Sequence, residues 1–105
     1  MTATARLSGG HLEIWAPTQS PQQAQNEAAR ILGLTRMLGL SLDKVTVHVT
    51  LLGGGFGRRL QSDYVQDAVR VSKAVNAPVQ VLWKREDDMQ HDWYRPTTYN
   101  VMRGG

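Results

Sequence analysis

The stretch "LLGGGFGRRL", residues 51–60, sets three glycines, a phenylalanine and a fourth glycine behind a β-branched run and ahead of two arginines. Glycines between a strand and a helix either turn the chain through positive φ or bring backbone N–H groups against a ligand without side chains in between. A turn needs one or two, so the surplus favours close approach to a bulky or anionic group; a plain connection is the simpler alternative. The familiar phosphate loops do not fit. After Gly53-x-Gly55 a dinucleotide fingerprint needs Gly or Ala at position 58, where Arg58 stands, and no glycine is followed by Lys and then Ser or Thr. An ordinary NAD or ATP site is excluded. Arg58 and Arg59 suit bidentate phosphate contacts, although a basic pair at a helix start is more often solvated.

"REDDMQHD", residues 85–92, gathers Glu86, Asp87, Asp88, His91 and Asp92, donors suited to a hard metal. Lys84 and Arg85 neutralise the group, and a charged surface turn in which Asp87 or Asp88 caps a short helix and Arg85 pairs with one of them is the simpler account. His48, in mid-strand opposite a valine face, reads as a solvent-facing or hydrogen-bonded structural residue. No order of Ser, His and Asp favours a hydrolase. Trp15, Trp83, Trp93 and Tyr94 could stack a heteroaromatic ring, but aromatics in so small a domain are usually core or interface residues.

With 105 residues the chain is the size of one domain with a modest core. The formal charge of +3 permits an anionic partner without requiring one, and nucleic acid is not expected. Without cysteine, this chain holds no disulfide, thiolate metal site or iron–sulfur cluster. No stretch approaches the roughly 20 apolar residues that span a bilayer, so no membrane span is expected. The compartment, cytoplasm or periplasm, is left open.

The elements around the glycines follow from pattern. "HLEIWA" alternates Leu12, Ile14 and Ala16 against His11, Glu13 and Trp15, as a strand with one buried face does. Ser20, Pro21 and Gln23 offer an N-cap, a first helical position and a capping box. The stripe Ala24, Ala28, Ile31 and Leu32 predicts a helix that can run to Leu38 and stop at Gly39, with a break possible at Gly33. "VTVHVTLL", residues 45–52, is the strongest strand. Val65, Ala68, Val69, Ser72 and Val75 predict a helix from Ser62 to Asn76, "PVQVLW" a third strand, and "TTYNVMR" a fourth. The order βαβαββ predicts an α/β (α+β) two-layer sandwich, a mixed sheet of about four strands with two helices on it.

"GGGFGRR", with "LEIWAPTQSP" before it and "VQVLWKREDDMQHDWYRP" after it, resembles the large, molybdenum-binding subunit of the xanthine dehydrogenase and aldehyde oxidase superfamily, within it most closely the isoquinoline 1-oxidoreductase β-subunit branch. The resemblance covers residues 11–105 and implies molybdopterin, usually the cytosine dinucleotide form in bacterial members. It places the backbone of Gly54, Gly55, Phe56 and Gly57 against the cofactor, with Arg58 beside them, and gives Gln19 the place of a glutamine near the metal's oxo ligand. Where the wider family often has Lys and then Glu, the Glu holding a purine, this chain has Arg59 and Leu60. Purine specificity is not carried over, and an apolar N-heterocycle or an aldehyde is expected instead.

In that family water supplies the oxygen placed on an electron-poor carbon beside a ring nitrogen or in a carbonyl, and electrons leave through an iron–sulfur partner subunit. The glutamate base lies near the end of a much longer chain and has no counterpart here, so no catalytic residue is assigned. The resemblance therefore implies that residues 1–105 are one domain of a larger subunit. It would form one wall of the molybdopterin site, be inactive and cofactor-free alone, and self-associate through surface that the rest of the subunit covers. The rival expectation is a free-standing module that binds a nucleotide or another anion through the glycine loop and Arg58-Arg59.

Overall fold

The computed structural model describes residues 1–33 and 42–105. Strands β1 (Thr2–Ser8) and β2 (His11–Ala16) form an antiparallel hairpin. Gly9 and Gly10 turn it with φ of 57° and 78°, the two successive left-handed residues of a type I′ hairpin turn. Helix α1 (Pro21–Ile31) crosses to β3 (Val45–Val49), parallel to β2, and α2 (Asp63–Val75) crosses to β4 (Val79–Leu82), antiparallel to β1. The strand order is β3-β2-β1-β4, a four-stranded mixed sheet. A short helix α3 (Arg85–Gln90) follows.

One sheet face gives Ala3, Ala5, Leu12, Ile14, Ala16 and Val45 to the core; α1 adds Ala24, Ala28 and Ala29, and α2 adds Tyr64, Val65, Ala68 and Val69. The alanines let helix backbones lie close to the sheet, so few large side chains suffice to fill the layer. The opposite face is polar. There Arg6 pairs with Glu13, whose carboxyl is held below its ordinary pKa chiefly by the hydrogen bond from Arg6, and Trp15 stacks on His48 at 5.1 Å. His48 also lies 3.7 Å from Glu13, in keeping with a structural histidine.

The two-layer mixed architecture agrees with expectation, while the element order is ββαβαβα in place of βαβαββ. The fourth strand is β1 at the start of the chain. Residues 97–103 belong to no strand and stay exposed; the sheet reaches four strands through the hairpin instead, with β3 and β4 at its edges. Ser20 caps α1 and Pro21 opens it, but no side-chain capping bond forms; the Ser20 N–H instead donates to the Thr18 hydroxyl at 3.0 Å. The helix stops at Gly33, whose φ of 74° suits only a chain reversal. The extension to Leu38 and Gly39 lies outside the described residues. Asn76, at φ 52°, ends α2 as the periodicity predicts. No helix among the described residues is long and apolar enough to cross a membrane.

Candidate functional site

The glycine loop leaves the sheet edge after β3 and re-enters the fold through a 3-10 turn, Arg58–Leu60, at the start of α2. Gly54 and Gly57 have φ of 107° and 73°, which only glycine adopts without strain. Phe56 sits at φ 52° with its ring exposed, a costly conformation for a bulky residue. Two features hold it: a Cβ on Gly54 would meet the Phe56 ring at 2.6 and 2.8 Å, and the Arg95 guanidinium donates to the Phe56 carbonyl. None of the N–H groups of residues 53–57 donates to a protein acceptor among the described residues. This segment presents consecutive free donors.

Gln19, far off in sequence, lies on this loop. A Cβ on Gly55 would fall under 3.0 Å from Cδ, Oε1 and Cγ of Gln19, so glycine is required for the carboxamide to rest on the main chain. The turn that carries Gln19 is fixed to the end of the loop: its N–H donates to the Arg59 carbonyl at 3.0 Å. The structure thus brings Gln19, Gly54, Gly55, Phe56 and Gly57 together.

Arg58 and Arg59, alike in sequence, go separate ways. Arg58 makes two hydrogen bonds to Asp63 at 3.0 and 2.8 Å, approaches Asp92 at 3.3 Å, and lies over the rings of Trp83 and Trp93. Its side chain is 10% exposed, and the Asp63 carboxylate raises its already high pKa. Arg59 donates to the Pro17 carbonyl and has no carboxylate within ion-pair distance among the described residues. A cleft of about 560 Å³ opens here, with the glycine loop, Trp83 and three arginines, Arg58, Arg59 and Arg85, on its walls. Arg85 also lacks an ion pair among the described residues, so Arg59 and Arg85 face the cleft unpaired, alongside Asp88 and Asp92 on the same walls, the latter engaged by Arg58. Periodicity and composition treat the two arginines as equal; only the 3-10 turn, which sends consecutive side chains to different sides, separates them.

The carboxylates of residues 85–92 form no metal-ligating group among the described residues. Asp87 accepts from the Lys84 N–H at 2.9 Å and caps α3. Trp83 and Trp93 enclose Arg58, and Tyr94 is exposed. Thr18, Asp63, Tyr64 and Arg95, which hold the loop, carry no sequence signal beyond their polarity.

Free N–H donors, two unpaired cations and a glycine floor beneath a neutral carboxamide together fit a large phosphate-bearing group pressed against main chain. The family model described as molybdopterin cofactor-binding domain matches residues 1–105. Isoquinoline 1-oxidoreductase subunit beta of Brevundimonas diminuta is 42% identical over 82% of this chain and 10% of its own length. A membrane-bound aldehyde dehydrogenase [pyrroloquinoline-quinone] of Gluconacetobacter polyoxogenes is 42% identical over 67% of the chain and 9% of its own. Xanthine dehydrogenase of Emericella nidulans is 29% identical over 98% of the chain and 8% of its own. The chain spans about a tenth or less of the length of these curated relatives.

Proposed function

We propose, since this chain belongs to the molybdopterin cofactor-binding domain family, that it forms one wall of the cofactor site in a molybdenum-dependent hydroxylase. The substrate would be an N-heterocyclic aromatic of the isoquinoline kind or an aldehyde. The observation that carries this reading is Gln19 resting on Gly55 beside a run of free main-chain donors. When bound, molybdopterin supplies the metal centre at which water-derived oxygen enters the substrate and two electrons are withdrawn. The residues of this chain do the holding. The amides of residues 53–57 donate to anionic oxygens, Gln19 offers a neutral N–H donor, and Arg59 and Arg85 set a positive field across the cleft. Arg58 shapes the wall from its place between Asp63, Asp92 and the tryptophans. The cytosine dinucleotide is the proposed form of the cofactor.

Leu60, half exposed where purine-binding relatives of the superfamily carry Glu, supports a less polar substrate. The names of the similar proteins, which refer to isoquinoline, an aldehyde and xanthine, support a heterocycle or aldehyde class. An iron–sulfur subunit is the proposed electron acceptor, as the family resemblance implies; residues 1–105 hold no cysteine themselves. Exposed Leu51, Leu82, Trp93, Tyr94 and Met102 are surface for the remainder of the large subunit to cover.

Mass spectrometry of the cofactor released from the full-length subunit tests the reading: a molybdopterin is expected, and a folded subunit that never acquires one refutes it. Residues 1–105 alone are expected to turn over neither isoquinoline nor an aldehyde and to self-associate in sedimentation. Turnover by this segment, or a concentration-independent monomer, would contradict the single-wall assignment.

A further inference from the structure

The turn that carries Gln19 is held by a small, buried set of hydrogen bonds that meet at residues outside the glycine loop. The Arg59 carbonyl accepts from the Gln19 N–H at 3.0 Å and from the Thr18 hydroxyl at 3.2 Å. In the opposite direction, the Arg59 guanidinium donates to the Pro17 carbonyl at 3.1 Å. Tyr64, from the first turn of α2, donates its hydroxyl to that same carbonyl at 3.1 Å. Thr18 is 3% exposed and Tyr64 fully buried, so solvent does not compete for these bonds.

The contact between Arg59 and the turn is reciprocal. Main chain of 59 receives, side chain of 59 gives, and the two bonds end on residues two apart, Pro17 and Gln19. A single bond would let the turn pivot; two bonds in opposite senses fix its angle as well as its distance. That angle decides whether the Gln19 carboxamide lies over Gly55, and no described hydrogen bond holds the carboxamide itself. Tyr64 keeps the Pro17 carbonyl satisfied when the guanidinium is removed, so the loss of Arg59 loosens orientation more than it unfolds the turn.

We infer that Arg59 is a positioning residue whose guanidinium and carbonyl together set Gln19 over Gly55, in register with whatever group occupies the cleft. Arg58, bound to carboxylates, has no such part. The inference rests on the molybdopterin reading for its functional consequence, but the clasp itself is a property of this chain.

The experiment uses the full-length subunit with its partner, as wild type, Arg59→Met, Arg59→Lys, Gln19→Ala and the double variant Arg59→Met/Gln19→Ala. Hydrogen exchange at the Gln19 amide reads the clasp directly, with or without cofactor. It should be roughly tenfold faster in Arg59→Met, the change that about 1.4 kcal/mol of lost protection produces, and recover toward wild type in Arg59→Lys, which keeps one donor. Kinetics and the electron paramagnetic resonance of the metal read the consequence: Arg59→Met, which also removes a cation from the cleft, should lose at least as much kcat as Gln19→Ala, with the double variant no worse than Arg59→Met alone. Unchanged exchange in Arg59→Met overturns the clasp, and multiplying effects in the double variant overturn its action through Gln19. A wild type with altered exchange on substitution but no molybdopterin would instead refute the proposed function and leave the clasp standing.

Discussion

Gly55→Ala separates a floor that must lack a side chain from a loop that is merely flexible. The added Cβ would fall under 3.0 Å from three atoms of the Gln19 side chain, so that side chain must swing away. Gly55 is not among the residues at positive φ, so backbone strain adds nothing. The turn beneath Gln19 stays tied through its N–H to Arg59, and no described hydrogen bond to the carboxamide is broken. What remains is an off-rotamer side chain and lost packing, about 1 kcal/mol. For the cofactor, loss of one neutral hydrogen bond of about 1–1.5 kcal/mol means roughly tenfold weaker retention. Gln19→Ala removes Cγ, Cδ and Oε1, the three atoms nearest the new methyl, so on that background Gly55→Ala should cost much less stability. Denaturant unfolding of the four proteins in this cycle, with cofactor content measured in parallel, should give a coupling of about 1 kcal/mol. Equal destabilisation by Gly55→Ala on both backgrounds would refute the idea that Gln19 is what requires glycine here.

Asp63→Asn removes the negative charge and one of the two acceptors facing the nearly buried Arg58 guanidinium; a drop in stability of about 1–3 kcal/mol is expected in equilibrium unfolding, as for hydrogen bonds to a charged group. Tyr64 is pushed above its ordinary pKa of 10.0 by burial, so its ionised form is disfavoured in the fold. Its contribution is complete below that value and declines as the pH rises through it and past the higher folded value. Thermal melts across this alkaline range should show a fall that Tyr64→Phe abolishes.

Much of the fold was legible because it obeys period. The alternation in β2 and β3 and the stripe of α2, closed by Asn76, follow from burying one face of each element. β1 is weakly marked because Thr, Ala and Arg make a weakly apolar strand, and its clearest signal is Gly9-Gly10 as a hairpin turn between two alternating runs. The alternation of residues 97–103 has the opposite outcome: pattern shows what a segment is able to pair as, and here no pairing follows although β3 and β4 are edge strands. At the site, the demand for bare backbone at residues 53–57 was visible in composition. The meeting of Gln19 with Gly55 followed only from resemblance, since crossover geometry, not local sequence, brings the two turns together. The division of labour between Arg58 and Arg59 was invisible until Asp63 and Pro17 were placed around them.

Among the described residues β4 pairs with β1 alone, so β1 waits for a strand that is made only after α1, β3 and α2. The β1–β2 hairpin can close within microseconds, yet one edge of β1 finds its partner only after residue 82 has been synthesised. On a translating ribosome that edge is an open template for strand addition by neighbouring nascent chains. Weakening β4, for instance with proline at position 80, should therefore appear in cells as co-translational aggregation before it appears as lost activity.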